Sequence, residues 1–143
     1  MPEFNESEYR NPSEVIPKYF PGMPSLLDKC KANGLPVKFV KEYLTNDTIV
    51  SNIDPYIIAR VFCFYVICYV FFPNGAHYIP FGALSLVEDI HNIGKYDWGS
   101  AILARVYYGL DAVVSVAGRK RAKSVDCFWQ FIEVCKYLKI CYF

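Results

Sequence analysis

Apolar residues recur along this chain at helical spacing, and prolines, glycines and aspartates break the pattern where helices are expected to start and stop. Residues 1–22 are polar and carry Pro2, Pro12, Pro17 and Pro21, which predicts a poorly ordered leader. The remainder, 23–143, reads as one helical domain. Pro24 suits a first helical position and Gly34 a position just past a helix end, so residues 24–34 are expected to form a short helix with Leu26, Leu27 and Cys30 on one side. Pro36 opens a second helix through Leu44, with Val37, Val40, Tyr43 and Leu44 as its apolar side, and a polar connector follows over 45–52.

Asp54-Pro55 is a helix start: the aspartate caps, and the proline takes a position whose N–H has no helical partner. The helix is expected to run to Phe72 and to stop at Pro73-Asn74-Gly75. Residues 61–72, VFCFYVICYVFF, are apolar without a break. The run is too short for the roughly 20 residues of a membrane span even when extended back to Ile57, and it then includes Arg60. Its β-branched and aromatic content would suit a strand. The length and the start and stop signals favour a central helix, apolar all round because it is surrounded.

A further helix is expected over 80–94, with Leu84, Val87 and Ile90 inward and Gly94 as its cap, and Asp97 caps the next, from Trp98 to about Ala117. That helix is dense in small residues (Gly99, Ser100, Ala101, Ala104, Gly109, Ala112), which would let the long apolar helix approach closely, and Ile102, Val106, Leu110 and Val113 form one apolar line. A final helix over 125–142 carries Phe128, Phe131, Ile132, Cys135 and Leu138 on one side and reaches an apolar, uncapped end, which reads as a domain cut short at its C-terminus. The fold class expected is all-α, a compact orthogonal bundle of about five to six helices around a central apolar helix.

Composition sharpens this in one respect. With 54% hydrophobic and 17% aromatic residues and a formal net charge of +1, the chain is more apolar than an average soluble domain, so either its core is unusually aromatic or part of its apolar surface expects a partner. No global field draws nucleic acid. The six cysteines show no CxxC spacing, and two of them lie inside the apolar run; they read as reduced, buried thiols rather than a disulfide framework.

Candidate chemistry is sparse. His77 and His91 have no ligand set at metal spacing around them. Glu88 and Asp89 are adjacent on a helix and point about 100° apart, so they do not face one another. Ser100 has no histidine base nearby, and no glycine-rich phosphate loop or nucleophile elbow occurs. No cofactor is expected. Arg119, Lys120, Arg121 and Lys123 form a basic loop that could touch phosphate or serve nuclear import, although four cations are few for affinity and a solvated loop is the stronger reading.

The central stretch resembles the plant mobile domain, also described as the aminotransferase-like plant mobile domain. The residues that carry the resemblance are Ala59, Phe72-Pro73, Leu84, Leu86 and Asp89. They continue with Gly94-Lys95-Tyr96-Asp97-Trp98-Gly99-Ser100-Ala101, Leu103-Ala104, Tyr107 and Leu110. The resemblance implies a partial copy of that domain, transposon-related and nuclear. It implies non-catalytic work in transposable-element silencing and meristem maintenance, alongside a phosphatase-like or chromatin-associated protein partner. No lysine stands in a recognisable pyridoxal-phosphate setting. The function expected is therefore a helical interaction module. The alternatives are an enzyme remnant completed by another segment and a membrane-associated hairpin built on 57–72.

Overall fold

The computed structural model describes residues 11–31, 34–73 and 77–116. Over these residues the protein is all-α in class, mostly helical with a single short strand pair. Helix α1 (Pro12–Tyr19) is followed by a 3-10 turn (Pro24–Lys29), strand β1 (Gly34–Pro36), α2 (Val37–Thr45), α3 (Asp47–Asn52) and α4 (Pro55–Tyr65). A π-helical segment (Val66–Phe71) extends α4. Strand β2 (Tyr78–Pro80), two 3-10 segments (Phe81–Val87 and Ile90–Lys95) and α5 (Trp98–Val116) complete the order.

The expected leader is not what residues 11–22 form. Asn11 caps α1, accepting from the Ser13 N–H at 3.1 Å and donating to Glu14 at 2.8 Å, and Pro12 takes the first helical position. Val15, Ile16, Tyr19 and Phe20 fall on one face and are buried. Helical spacing of these four outweighs the prolines: Pro12 takes the first helical position at no cost, whereas Pro17 lies inside the helix and removes one of its backbone hydrogen bonds. Residues 1–10 lie outside the described residues. α1 is tied to the rest by Arg60, whose guanidinium donates to the Lys18 carbonyl at 3.2 Å and lies 4.6 Å over the Tyr19 ring. Lys18 pairs with Glu88 at 3.2 Å, and the Tyr19 hydroxyl donates to the same carboxylate at 3.3 Å.

Residues 24–34 do not make one helix. The 3-10 turn stops at Lys29, and Gly34 begins β1, which pairs antiparallel with β2 in the register Gly34↔Pro80, Leu35↔Ile79 and Pro36↔Tyr78. Prolines at both ends of so short a ladder confine it to two strands, since each lacks the N–H a further neighbour would need. Leu35 and Ile79 are fully buried at its centre. The polar connector over 45–52 contains α3, capped by the Asn46 side chain accepting from the Ile49 N–H at 3.2 Å.

Asp54 and Pro55 start α4 as the sequence indicates, the aspartate accepting from the Tyr56 N–H at 2.8 Å. The helix is not surrounded, however. Val61, Phe64, Ile67 and Cys68 are buried, whereas Phe62 and Tyr69 are exposed. Its end widens: the Phe72 N–H reaches the Ile67 carbonyl at 2.9 Å, five residues back, and Pro73 then forbids another turn.

The core gathers around α4, α2, α1 and the segment Phe81–Val87. Phe20 stands at its centre, edge-on to Tyr43 at 5.4 Å and to Phe64 at 6.3 Å. Tyr43 is fully buried, and its hydroxyl donates to the Pro21 carbonyl at 2.8 Å. Burial pushes its pKa up to about 12, against a smaller opposite pull from Arg60. The unfolded phenol ionises near 10 while the folded one keeps its proton to about 12, so this group's contribution is complete below pH 10 and is lost as pH rises through that window. Tyr43→Phe is expected to cost about 1 kcal/mol at neutral pH by orphaning the Pro21 carbonyl. It should also flatten the fall of the urea midpoint between pH 10 and 12; an unchanged alkaline slope would contradict this.

Candidate interaction surface and neighbouring clefts

Most residues singled out by sequence meet at the joint before α5. Asp89 caps the segment Ile90–Lys95, accepting from the His91 N–H at 3.1 Å and from the Asn92 side-chain amide. Asp97 caps α5, accepting from the Ser100 N–H at 3.0 Å. Hydrogen bonds from the Ser100 backbone and hydroxyl hold its carboxyl below the ordinary carboxylate range. Trp98 fills the corner: its Nε1 donates to the Ile93 carbonyl at 2.7 Å. Its ring lies 6.4 Å from Phe71, 6.5 Å from Phe72 and 5.5 Å from Tyr96. Phe72, Tyr96 and Trp98 therefore couple the end of the long helix, just before Pro73, to the start of α5.

The expected single helix over 80–94 is instead two 3-10 segments broken at Glu88-Asp89. Ser85 bonds back to the Gly82 carbonyl at 2.9 Å, which competes with α-helical pairing, and the Asp89 cap restarts the chain in a new direction. Gly94 lies inside the second segment rather than past its end; the segment stops at Lys95, with Tyr96 extended. Glu88 turns to Lys18 and Tyr19 while Asp89 caps, so the two carboxylates have separate structural tasks. His91 stacks on Tyr56 with ring centroids 5.7 Å apart.

α5 presents two apolar stripes. Ile102, Val106 and Gly109 form the buried one. Leu103, Tyr107, Leu110 and Val114 are exposed at 43%, 58%, 40% and 73%. Small residues do not face the long helix as expected: Gly99, Ser100, Ala101, Ala104 and Ala112 are all exposed. The side chains of Ile102 and Val106 hold the inward face, and Gly109 alone of the small set lies there. The basic loop Arg119, Lys120, Arg121 and Lys123, and the final helix expected over 125–142, lie outside the described residues.

Two clefts were not foreseen. One, of about 430 Å³, is lined by Lys31, Pro36, Lys38, His77 and Tyr78 beside the strand pair. His77 has a positive φ of 50°, and its carbonyl accepts from the Val37 N–H at 3.0 Å, which ties the chain entering β2 to the start of α2. The other, of about 320 Å³, is lined by Ile67, Cys68, Phe72, Pro80, Ala83, Leu86 and Arg105. A signal for Arg105 was present in the sequence: it lies three residues after Ile102 and four before Gly109, on the inward side of α5. Among the described residues Cys30, Cys63 and Cys68 are free thiols. None of the described helices is long and apolar enough to cross a membrane.

A family model described as a domain of unknown function, DUF8566, matches residues 18–129. The chain belongs to the DUF8566 family. This overturns the resemblance to the plant mobile domain, since the matching family is a different one. The roles implied only by that resemblance (transposable-element silencing, meristem maintenance, a nuclear address and a phosphatase-like or chromatin-associated partner) lose their support with it. The Gly94–Ala101 cluster that suggested it is the end of a 3-10 segment, the Asp97 cap and a tryptophan plug. No curated protein and no solved structure matches the chain. The DUF8566 match takes in α5, both clefts and the basic loop, while most of α1 precedes it.

Proposed function

We propose that this DUF8566 domain is a non-catalytic interaction module that receives an amphipathic helix of a partner protein along the outer face of α5. The observation that carries the reading is the exposed stripe Leu103, Tyr107, Leu110 and Val114. Its residues are spaced four, three and four apart, the seam spacing with which a second helix interlocks. Tyrosine suits such a face because its ring is apolar and its hydroxyl tolerates water until the partner arrives. The titratable residues of the joint support the non-catalytic half of the proposal, since Glu88, Asp89, Asp97 and His91 are committed to pairing, capping and stacking.

The test places a photo-crosslinking amino acid at position 107, and at exposed Lys41 as a control, in the full chain added to extract from its source organism. Crosslinking from 107 but not 41 to an apolar helical segment of one other protein is the expected result. Crosslinks to the chain's own residues 117–143, to a second copy, or to nothing would overturn it. The double substitution Tyr107→Glu with Val114→Glu should abolish the crosslinked species while changing folding stability by no more than about 0.5 kcal/mol, as expected of exposed positions. A larger loss in urea unfolding would mean that the stripe packs within the chain.

A further inference from the structure

The cleft of about 320 Å³ lies at the meeting of the π-helical segment, the 3-10 segment Phe81–Val87 and α5. Its walls are Ile67, Phe72, Pro80, Ala83 and Leu86, with the Cys68 thiol and one charged group, Arg105. Burial pushes the Cys68 thiol up to about 12, so it is neutral at physiological pH and sets no negative charge against an anion. The Nε of Arg105 is buried and has no hydrogen-bond partner. Its guanidinium lies 5.4 Å over the Tyr108 ring. That contact occupies a face of the cation and does not engage the in-plane Nε–H. A buried donor without an acceptor is costly and uncommon, and π-helical turns such as Val66–Phe71 recur at functional sites. A small apolar cavity with a single well-placed polar group is the usual form of a small-molecule site.

We propose that this cleft binds a small apolar carboxylate, its hydrocarbon body against Ile67, Phe72 and Leu86 and its carboxylate hydrogen-bonded by Arg105. A carboxylate matches the guanidinium better than a neutral acceptor does, because the bond is charge-assisted and can engage two N–H groups at once. The apolar walls exclude highly hydrated anions such as phosphate, which would find no second polar group there.

The experiment is calorimetric titration of the full chain at pH 7 with octanoate and 3-phenylpropionate, each beside its neutral amide of the same shape. Saturable one-to-one binding is expected, with each acid at least about tenfold tighter than its amide. Arg105→Gln should bring that ratio close to one while leaving amide affinity in place. Leu86→Trp, which fills the cleft, should remove binding of both. The acid-to-amide ratio in the unaltered chain stands even if a variant misfolds. No saturable binding of either acid, a ratio near one in the unaltered chain, or a ratio that survives in folded Arg105→Gln would overturn the proposal.

Discussion

Phe64→Ala is expected to remove about 3–5 kcal/mol of folding stability, enough to bring a domain of ordinary stability close to unfolding. Phe64 is fully buried on α4 and packs edge-on against Phe20, which packs in turn against Tyr43. These rings join α4, the end of α1 and α2, so truncating the first opens a cavity that three elements would have to close together. Collapse is difficult because Phe20 and Tyr43 are held from other sides, the latter by its bond to Pro21. The comparison is Phe62→Ala. Phe62 is 55% exposed on the same helix, and its loss should cost well under about 1 kcal/mol. Urea unfolding of the two variants side by side measures the difference; equal losses would mean that α4 is turned the other way.

Gly34→Ala is the second large effect. A methyl group at position 34 would fall far inside van der Waals contact with the Ile79 carbonyl oxygen. It would also come within 2.6 and 2.8 Å of atoms of the Tyr78 ring. The oxygen is backbone on the paired strand, so relief requires β1 and β2 to separate, and Leu35 and Ile79 lose their burial with them. A loss of about 1–3 kcal/mol or more is expected from overpacking of this kind. Gly99→Ala supplies the contrast. That glycine is exposed in α5, and the nearest atom to an added methyl is the Asp97 carboxylate oxygen at an ordinary 3.7 Å. Helix propensity should therefore make it neutral or stabilising by about 0.5–1 kcal/mol. Thermal unfolding of both variants gives the sign directly.

What the sequence showed of the fold depended on whether a signal was local. Asp54-Pro55 and Asp97 cap their own helices, and both are legible because a cap needs only the residues beside it. Gly34 is illegible for the opposite reason: a glycine past a helical pattern looks like a cap, while its actual constraint comes from Ile79, far along the chain. The segment after Pro80 follows a different period from the α-helix expected of it. Phe81, Leu84, Val87, Ile90 and Ile93 recur every three residues without an exception, which is the repeat of a 3-10 helix and not of an α-helix. The α4 run concealed which side was exposed, because Phe62 and Phe64 are chemically identical. Arg105 does not stand out in the sequence, because a lone cation in a helix ordinarily lies in solvent; its spacing from Ile102 and Gly109 gains meaning only beside the cleft at Leu86.

The clasp of α1 has a consequence for the order in which the chain folds. Lys18 and Glu88 are 70 residues apart, and the strand pair joins Gly34 to Pro80. An eight-residue helix has almost no population on its own, so α1 can form only once the chain around residue 88 is already in place to receive it. Closing such long loops exacts a search that local helical contacts do not. The domain is helical in content, yet its folding rate should be governed by distant closures, as in proteins of mixed topology. The first of its described helices in sequence is expected to be among the last to become a helix in time.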